Sequence, residues 1–142
     1  MKSTKVPLLV GAIIICTLWS CAKQSATLNN EEALVGKWTW VSTDGGIANH
    51  IHDTPNSTGK IIEWEINANQ TYFIYLNGMI QSKGTYHLTK DKSIKDGEDK
   101  SVINFSGGQA YMVLQVNKTS LEVTDNYIDG TSSVFSKATI KN

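Results

Sequence analysis

From Gly36 onward the apolar residues recur with a period of two rather than 3.6, and this constrains the fold more than any other feature of the chain. Within 60–67, Ile62, Trp64 and Ile66 alternate with Glu63, Glu65 and Asn67, so one face is apolar and the other faces water. Turn residues break the pattern at intervals of about eight to twelve positions, at Asn77-Gly78, Gly107-Gly108, Asn117-Lys118-Thr119 and Asp129-Gly130. The pattern predicts strands over 35–42, 60–67, 71–76, 79–89, 101–106, 110–117, 120–127 and 132–140, and none of them contains proline. Short hairpins between neighbours make a meander, and closing a meander removes its exposed edges. The expected fold is therefore all-β, an eight-stranded up-and-down antiparallel barrel. Asn30 followed by Glu31, Glu32, Ala33 and Leu34 predicts a short helical turn ahead of it, with an amide cap and two acids at the positive end of the dipole.

Alternation assigns the inward faces. Trp38 and Trp40, the set Ile62, Trp64 and Ile66, then Tyr86 and Leu88, Ile103 and Phe105, and Leu121 and Val123 are placed inside. The stretch 110–116 is read with Ala110, Met112, Leu114 and Val116 inside, whereas 71–76 is apolar on both sides and its register is open. Eight strands enclose a space that side chains fill or that holds one small ligand. Trp40, Trp64, Tyr86, Phe105 and Met112 are the candidate lining residues for an apolar guest, with Tyr and Trp polar tips to orient it. Asp125 joins them, because the alternation that buries Leu121 and Val123 carries it inward, where a carboxylate needs a partner, a ligand or water.

The amino-terminal residues belong to another class. Lys2 and Lys5 precede an apolar run from Val6 to Trp19 that ends at Ser20 and Cys21, the pattern of a signal peptide over 1–20, too short for a membrane span. Leu18-Trp19-Ser20-Cys21 resembles a bacterial lipobox, with Trp19 departing from the small residue usual at its position. That resemblance implies that Cys21 becomes the first residue and carries fatty acyl chains of the palmitate class. Two or more chains give stable anchoring where one gives only marginal binding. Cys21 would be the single cysteine left, so the exported domain has no disulfide. Residues 21–33 read as a lipidated cysteine and polar tether and 34–142 as the domain. The expected location is the bacterial cell envelope, at the outer membrane, facing either the periplasm or the cell surface.

A second resemblance follows from order as well as motif. Gly36-Lys37-Trp38 resembles the Gly-x-Trp signature of the first lipocalin strand, and Gly84-Thr85-Tyr86 is similar to a repeat in small lipocalin-like lipoproteins of Bacteroidetes. The similarity spans about residues 34 to 140. It implies a small apolar ligand, and an arginine on the last strand covering the signature tryptophan. This chain has no arginine, and Lys137 is the nearest candidate to cover Trp38.

Other functions are excluded by what the sequence lacks. Lysine supplies all 13 basic residues against 13 acids, so charge-driven nucleic-acid binding is not expected, and the guanidinium fork for bidentate anion capture is missing. The segment Thr43 to Gly59, 17 residues long, is expected to be a lid loop; its His50, His52 and Asp53 lack a fourth metal ligand. The acidic run Asp96-Gly97-Glu98-Asp99 lacks the ligand alternation of a calcium loop. No nucleophile motif or inward acid pair is present, so no enzyme activity, metal or cofactor is expected. The expected partners are the membrane, through Cys21, and a small apolar ligand, with the domain a monomer. The alternative is a structural or partner-binding lipoprotein with a filled barrel.

Overall fold

The structure, a computed structural model, describes residues 31–138. The signal segment, Cys21, most of the tether and the last residues of the 132–140 strand lie outside the described residues. A helical turn, α1 (31–34), leads into β1 (Gly36–Gly45), β2 (Ile51–Asp53), α2 (Pro55–Thr58), β3 (Ile62–Ile66), β4 (Thr71–Leu76), β5 (Met79–Lys92), β6 (Asp99–Phe105), β7 (Ala110–Val116), β8 (Ser120–Thr124) and β9 (Thr131–Lys137). Strands β3 to β9 pair in sequence order, and β1 pairs with both β3 and β9, closing an eight-stranded antiparallel up-and-down barrel. The pairing slips around the sheet. Thr71 at the start of β4 faces Thr85 in mid β5, which runs on so that Tyr86 faces Phe105 at the end of β6. Such stagger tilts the strands and widens the barrel.

The ninth strand comes from the segment expected to be a loop. The first half of β1 pairs with β3 through Gly36 to Thr39, while its far end pairs with β2 through Thr43 to Gly45. Thr43 to Gly59 is thus an ordered flap: the end of β1, a 3-10 turn at Ile47–Asn49, β2 and α2. In α2, Thr54 accepts from the Ser57 amide while the Ser57 hydroxyl accepts from the Thr54 amide, and Pro55 opens the helix where its missing N–H costs nothing.

The base of the barrel is plugged from below. Leu34 of α1 is fully buried, and its carbonyl accepts from Trp38 Nε1 at 2.7 Å. Above it lie Ile66, Ile103, Leu121 and Val123, each essentially free of solvent. Burying aliphatic side chains of this size contributes about 1.5–3 kcal/mol apiece. The Nζ of Lys137 stands 4.9 Å from the Trp38 ring centroid and donates to Ala33 O at 3.4 Å. The lysine crosses directly over Gly36, where a Cβ would fall 2.5 Å from Lys137 Cε, and Gly36 has φ 143°. A side chain at 36 would push aside the end of Lys137 and hold a backbone conformation that side chains rarely adopt.

The assigned inward faces of β1, β3, β5, β6 and β8 hold, and the open register of β4 resolves with Tyr72 and Ile74 inside and Phe73 and Tyr75 outside. The assignment for β7 needs correction. Tyr111 and Val113 belong to the interior, so Met112 between them points to the opposite face, and Ala110 and Leu114 are exposed. A bulge between Val113 and Gln115 restores the original parity, and Val116 packs inside. A bulge inserts one residue and reverses the alternation beyond it, and a strand apolar on both sides gives no warning of this.

Candidate functional site

The candidate site is the barrel interior and its upper mouth. Its centre is Trp64, whose ring lies 4.4 Å from Phe135, 5.2 Å from Tyr111 and 5.3 Å from Phe105, the last edge to face. Tyr72 lies tilted against Phe105, their ring centroids 4.4 Å apart. Tilted and edge-on rings at these separations are favourable contacts. Trp64 and Trp40 are each 5% exposed and Phe105 4%, so these rings form a packed layer across the barrel above the Trp38 plug.

The polar tips in this layer are bound to the chain itself. Trp40 Nε1 donates to Thr43 Oγ1 at 2.9 Å, and that hydroxyl shares a 2.7 Å hydrogen bond with Ser133. The Tyr86 hydroxyl donates to Asn67 O at 3.1 Å, and Tyr72 and Ser82 share a hydroxyl bond of 2.8 Å. Among the described residues no buried side-chain polar atom lacks a partner. The lower interior therefore demands no guest to satisfy it.

One step higher the surroundings open. Ile62 lies two residues above Trp64 on β3, Ile74 two above Tyr72 on β4, and both are only partly buried, as is Tyr111. Thr43, Ser133 and Ser82 bring hydroxyls to the same level from β1, β9 and β5. The mouth is thus an aliphatic and phenolic collar on an aromatic floor, edged with hydroxyls. Burial raises the Tyr111 hydroxyl above its ordinary pKa, and the charge on Asp125 adds to the effect.

The sequence candidates divide accordingly. Trp40, Trp64, Tyr86 and Phe105 all meet in the interior, with Tyr86 lower, toward α1. Asp125 stands at the rim and its partner is a turn: its carboxylate accepts from Thr131 N at 2.8 Å and from Thr131 Oγ1 at 3.4 Å. Met112 is turned away. It sits in register with Val102 on one side and Thr124 on the other, all three buried on the outer face. Asn126 ties two turns together across this region, its Oδ1 accepting from Ile94 N and its Nδ2 donating to Lys92 O, both at 2.9 Å. Tyr111 and Ile74, which sequence reasoning left out, carry the mouth. The β4 pattern was apolar on both sides, and the β7 bulge hid the other.

The histidines of the flap do not converge on a metal site. His52 Nδ1 lies 2.8 Å from Asp44 Oδ1 across the β1–β2 pair, whereas His50 Nδ1 turns to the Ile47 carbonyl. Among the described residues no three His, Cys, Asp or Glu side chains gather in a metal-holding group. Two shallow surface cavities flank α1, one of about 270 Å³ bounded by Glu31, Val35, Ala68 and Tyr86, the other of about 430 Å³ bounded by Ala33, Asn117, Lys118 and Lys137. No family model, curated protein or solved structure matches the chain.

Proposed function

We propose that this chain is an envelope lipoprotein, held by lipid on Cys21, whose lipocalin-like barrel takes a small apolar ligand at its upper mouth. The observation that carries the reading is the collar of Ile62, Ile74 and Tyr111, half-open above a floor of fully packed rings. An apolar ligand on that collar removes aliphatic surface from water, and the hydroxyls of Thr43, Ser82 and Ser133 offer partners for one polar end. The filled interior limits the depth of entry. The seat is a shallow cup, suited to the end of a chain or a single ring system rather than to a wholly enclosed guest.

The anchor and the ligand have separate tests. Cys21→Ser should move the protein from the detergent-rich to the aqueous phase in a Triton X-114 partition, and unchanged partition would remove the lipid anchor. Native mass spectrometry of the detergent-extracted protein against a lipid extract should reveal a bound small molecule, and only the bare mass would count against the cup.

A second reading is favoured by the packed ring layer itself. In it the barrel is a filled scaffold, and the lipoprotein acts through its outer surface. The native mass spectrum separates the two readings.

A further inference from the structure

The outer face of β3, β4 and β5 is less polar than the exterior of a solitary barrel requires. Phe73 and Tyr75 stand outward on β4 with ring centroids 6.2 Å apart and nearly parallel planes. Ile61, 54% exposed, adjoins the upper end of this face through its backbone bonds to Asn77, and Ile80, 51% exposed, lies directly beside Tyr75 on β5. Alternation places charged or polar residues here; instead two half-buried rings lie beside the exposed Ile61 and Ile80, and such a group of apolar side chains on one outer face marks a contact surface.

The charges around the rings are ordered. Glu65 is the register partner of Phe73 on the β3 side and Lys83 its partner on the β5 side, so one row reads acid, ring, base. Glu63 flanks Tyr75 in the next row, and Lys37 of β1, paired with Glu65, reaches over the Tyr75 ring at 5.3 Å. The Tyr75 hydroxyl donates to Glu65 at 3.3 Å, which fixes that carboxylate beside the rings.

A two-fold axis lying in the face and parallel to β4 exchanges the acid and base edges while leaving the rings in the middle. Under it Phe73 and Tyr75 of one copy meet their counterparts, Glu65 of each copy stands opposite Lys83 of the other, and Lys37, over the Tyr75 ring, stays within the acid edge of each copy. An isologous contact requires this self-complementarity, with the same patch serving both sides. From this arrangement we infer that the Phe73–Tyr75 face binds a second copy of the chain, forming a two-fold dimer with the rings at its centre. The sequence reading expected a monomer; the inference is independent of whether the mouth holds a ligand. Facing copies on one membrane need only a weak contact, because confinement to a surface raises their effective concentration.

The test uses the full chain in bacterial membranes, with the wild-type chain and its own Cys16 and Cys21 as the baseline. Facing sheets stand about 10 Å apart, too far for a disulfide, so Phe73→Cys is treated with a short bismaleimide. The expected product is a band at twice the monomer mass, repeated with Tyr75→Cys and absent with Ile94→Cys on the distant β5–β6 turn. Adding Lys83→Glu should abolish the band by setting two acids face to face, and adding Glu65→Lys to that variant should restore it. Retained tryptophan fluorescence certifies folding of each variant. Absence of the band at both ring positions, an equal band at Ile94→Cys, or a conjugate of another mass would overturn the dimer.

Discussion

Lys137 lies over the indole of Trp38, with Nζ 4.9 Å from the ring centroid, and closes the base of the barrel from the last strand onto the first. The ammonium faces the electron-rich ring while its methylene stem covers Gly36, so the contact joins the two strands that complete the barrel. Lys137→Ala removes about 0.5–1 kcal/mol of cation–π attraction together with that cover. Thermal unfolding should fall by several degrees, as about 1 kcal/mol shifts a domain of this size by roughly 4 °C or more. An unchanged melt would show that the closure rests on the backbone ladder alone.

Gly36→Ala tests the same junction from the other side. The new methyl would meet Lys137 Cε and must adopt a φ that side chains rarely tolerate, a strain of about 1–3 kcal/mol. The double variant Gly36→Ala, Lys137→Ala should be less destabilised than the sum of the single effects, because the steric part of the first disappears with the lysine stem. Simple additivity in denaturant melts would place the whole cost in the backbone.

Met112→Trp distinguishes the two faces of β7. If Met112 pointed inward, a large ring there would block a ligand. Since it is buried in register with Val102 and Thr124 on the outer face, the substitution overpacks these neighbours and costs about 1–3 kcal/mol. The melt should drop while probe binding at the mouth stays unchanged. Lost binding at constant stability would reverse the assignment of the face.

The flap carries a titrating pair. The Asp44 carboxylate, chiefly by its hydrogen bond, raises the His52 pKa above 6.5, and the same bond holds Asp44 below 3.8. The histidine contribution is fully present below pH 6.5 and is lost as pH rises through the raised value. The aspartate contribution is present above pH 3.8 and is lost as pH falls through the lowered value. Both groups are exposed, so the effect belongs to the flap rather than to global stability. In an NMR titration His52 should titrate above 6.5, and Asp44→Asn should bring it down; an unshifted His52 in the parent chain would show that the pair does not form in solution.

Most of the barrel was legible because its inward faces alternate cleanly with charged residues, as Ile62, Trp64 and Ile66 do with Glu63 and Glu65. The mouth was less so. Phe73 and Tyr75 are as apolar as Tyr72 and Ile74, and only pairing with β3 and β5 decides which pair faces out. The extension of the β5–β6 hairpin to Lys92 and Asp99 is polar on both sides, so hydrophobic period is silent there and backbone pairing alone defines it. Strand β2 has three residues, too few for a pattern, and exists because the far half of β1 diverges from β3 and leaves its hydrogen-bonding edge free. Asp125 follows the end of β8, and the turn after it makes the carboxylate a cap for Thr131, which strand alternation does not foresee.

Ligand binding at the mouth is addressed directly by one variant. The detergent-extracted chain should bind an apolar fluorescent probe that a fatty acid displaces. Ile74→Trp, placed in the half-open collar above the packed rings, should abolish that binding and leave the melting temperature nearly unchanged, because the larger ring enters space open to solvent. Probe binding that survives Ile74→Trp, or a parent chain that binds no probe at all, would contradict ligand binding at the mouth.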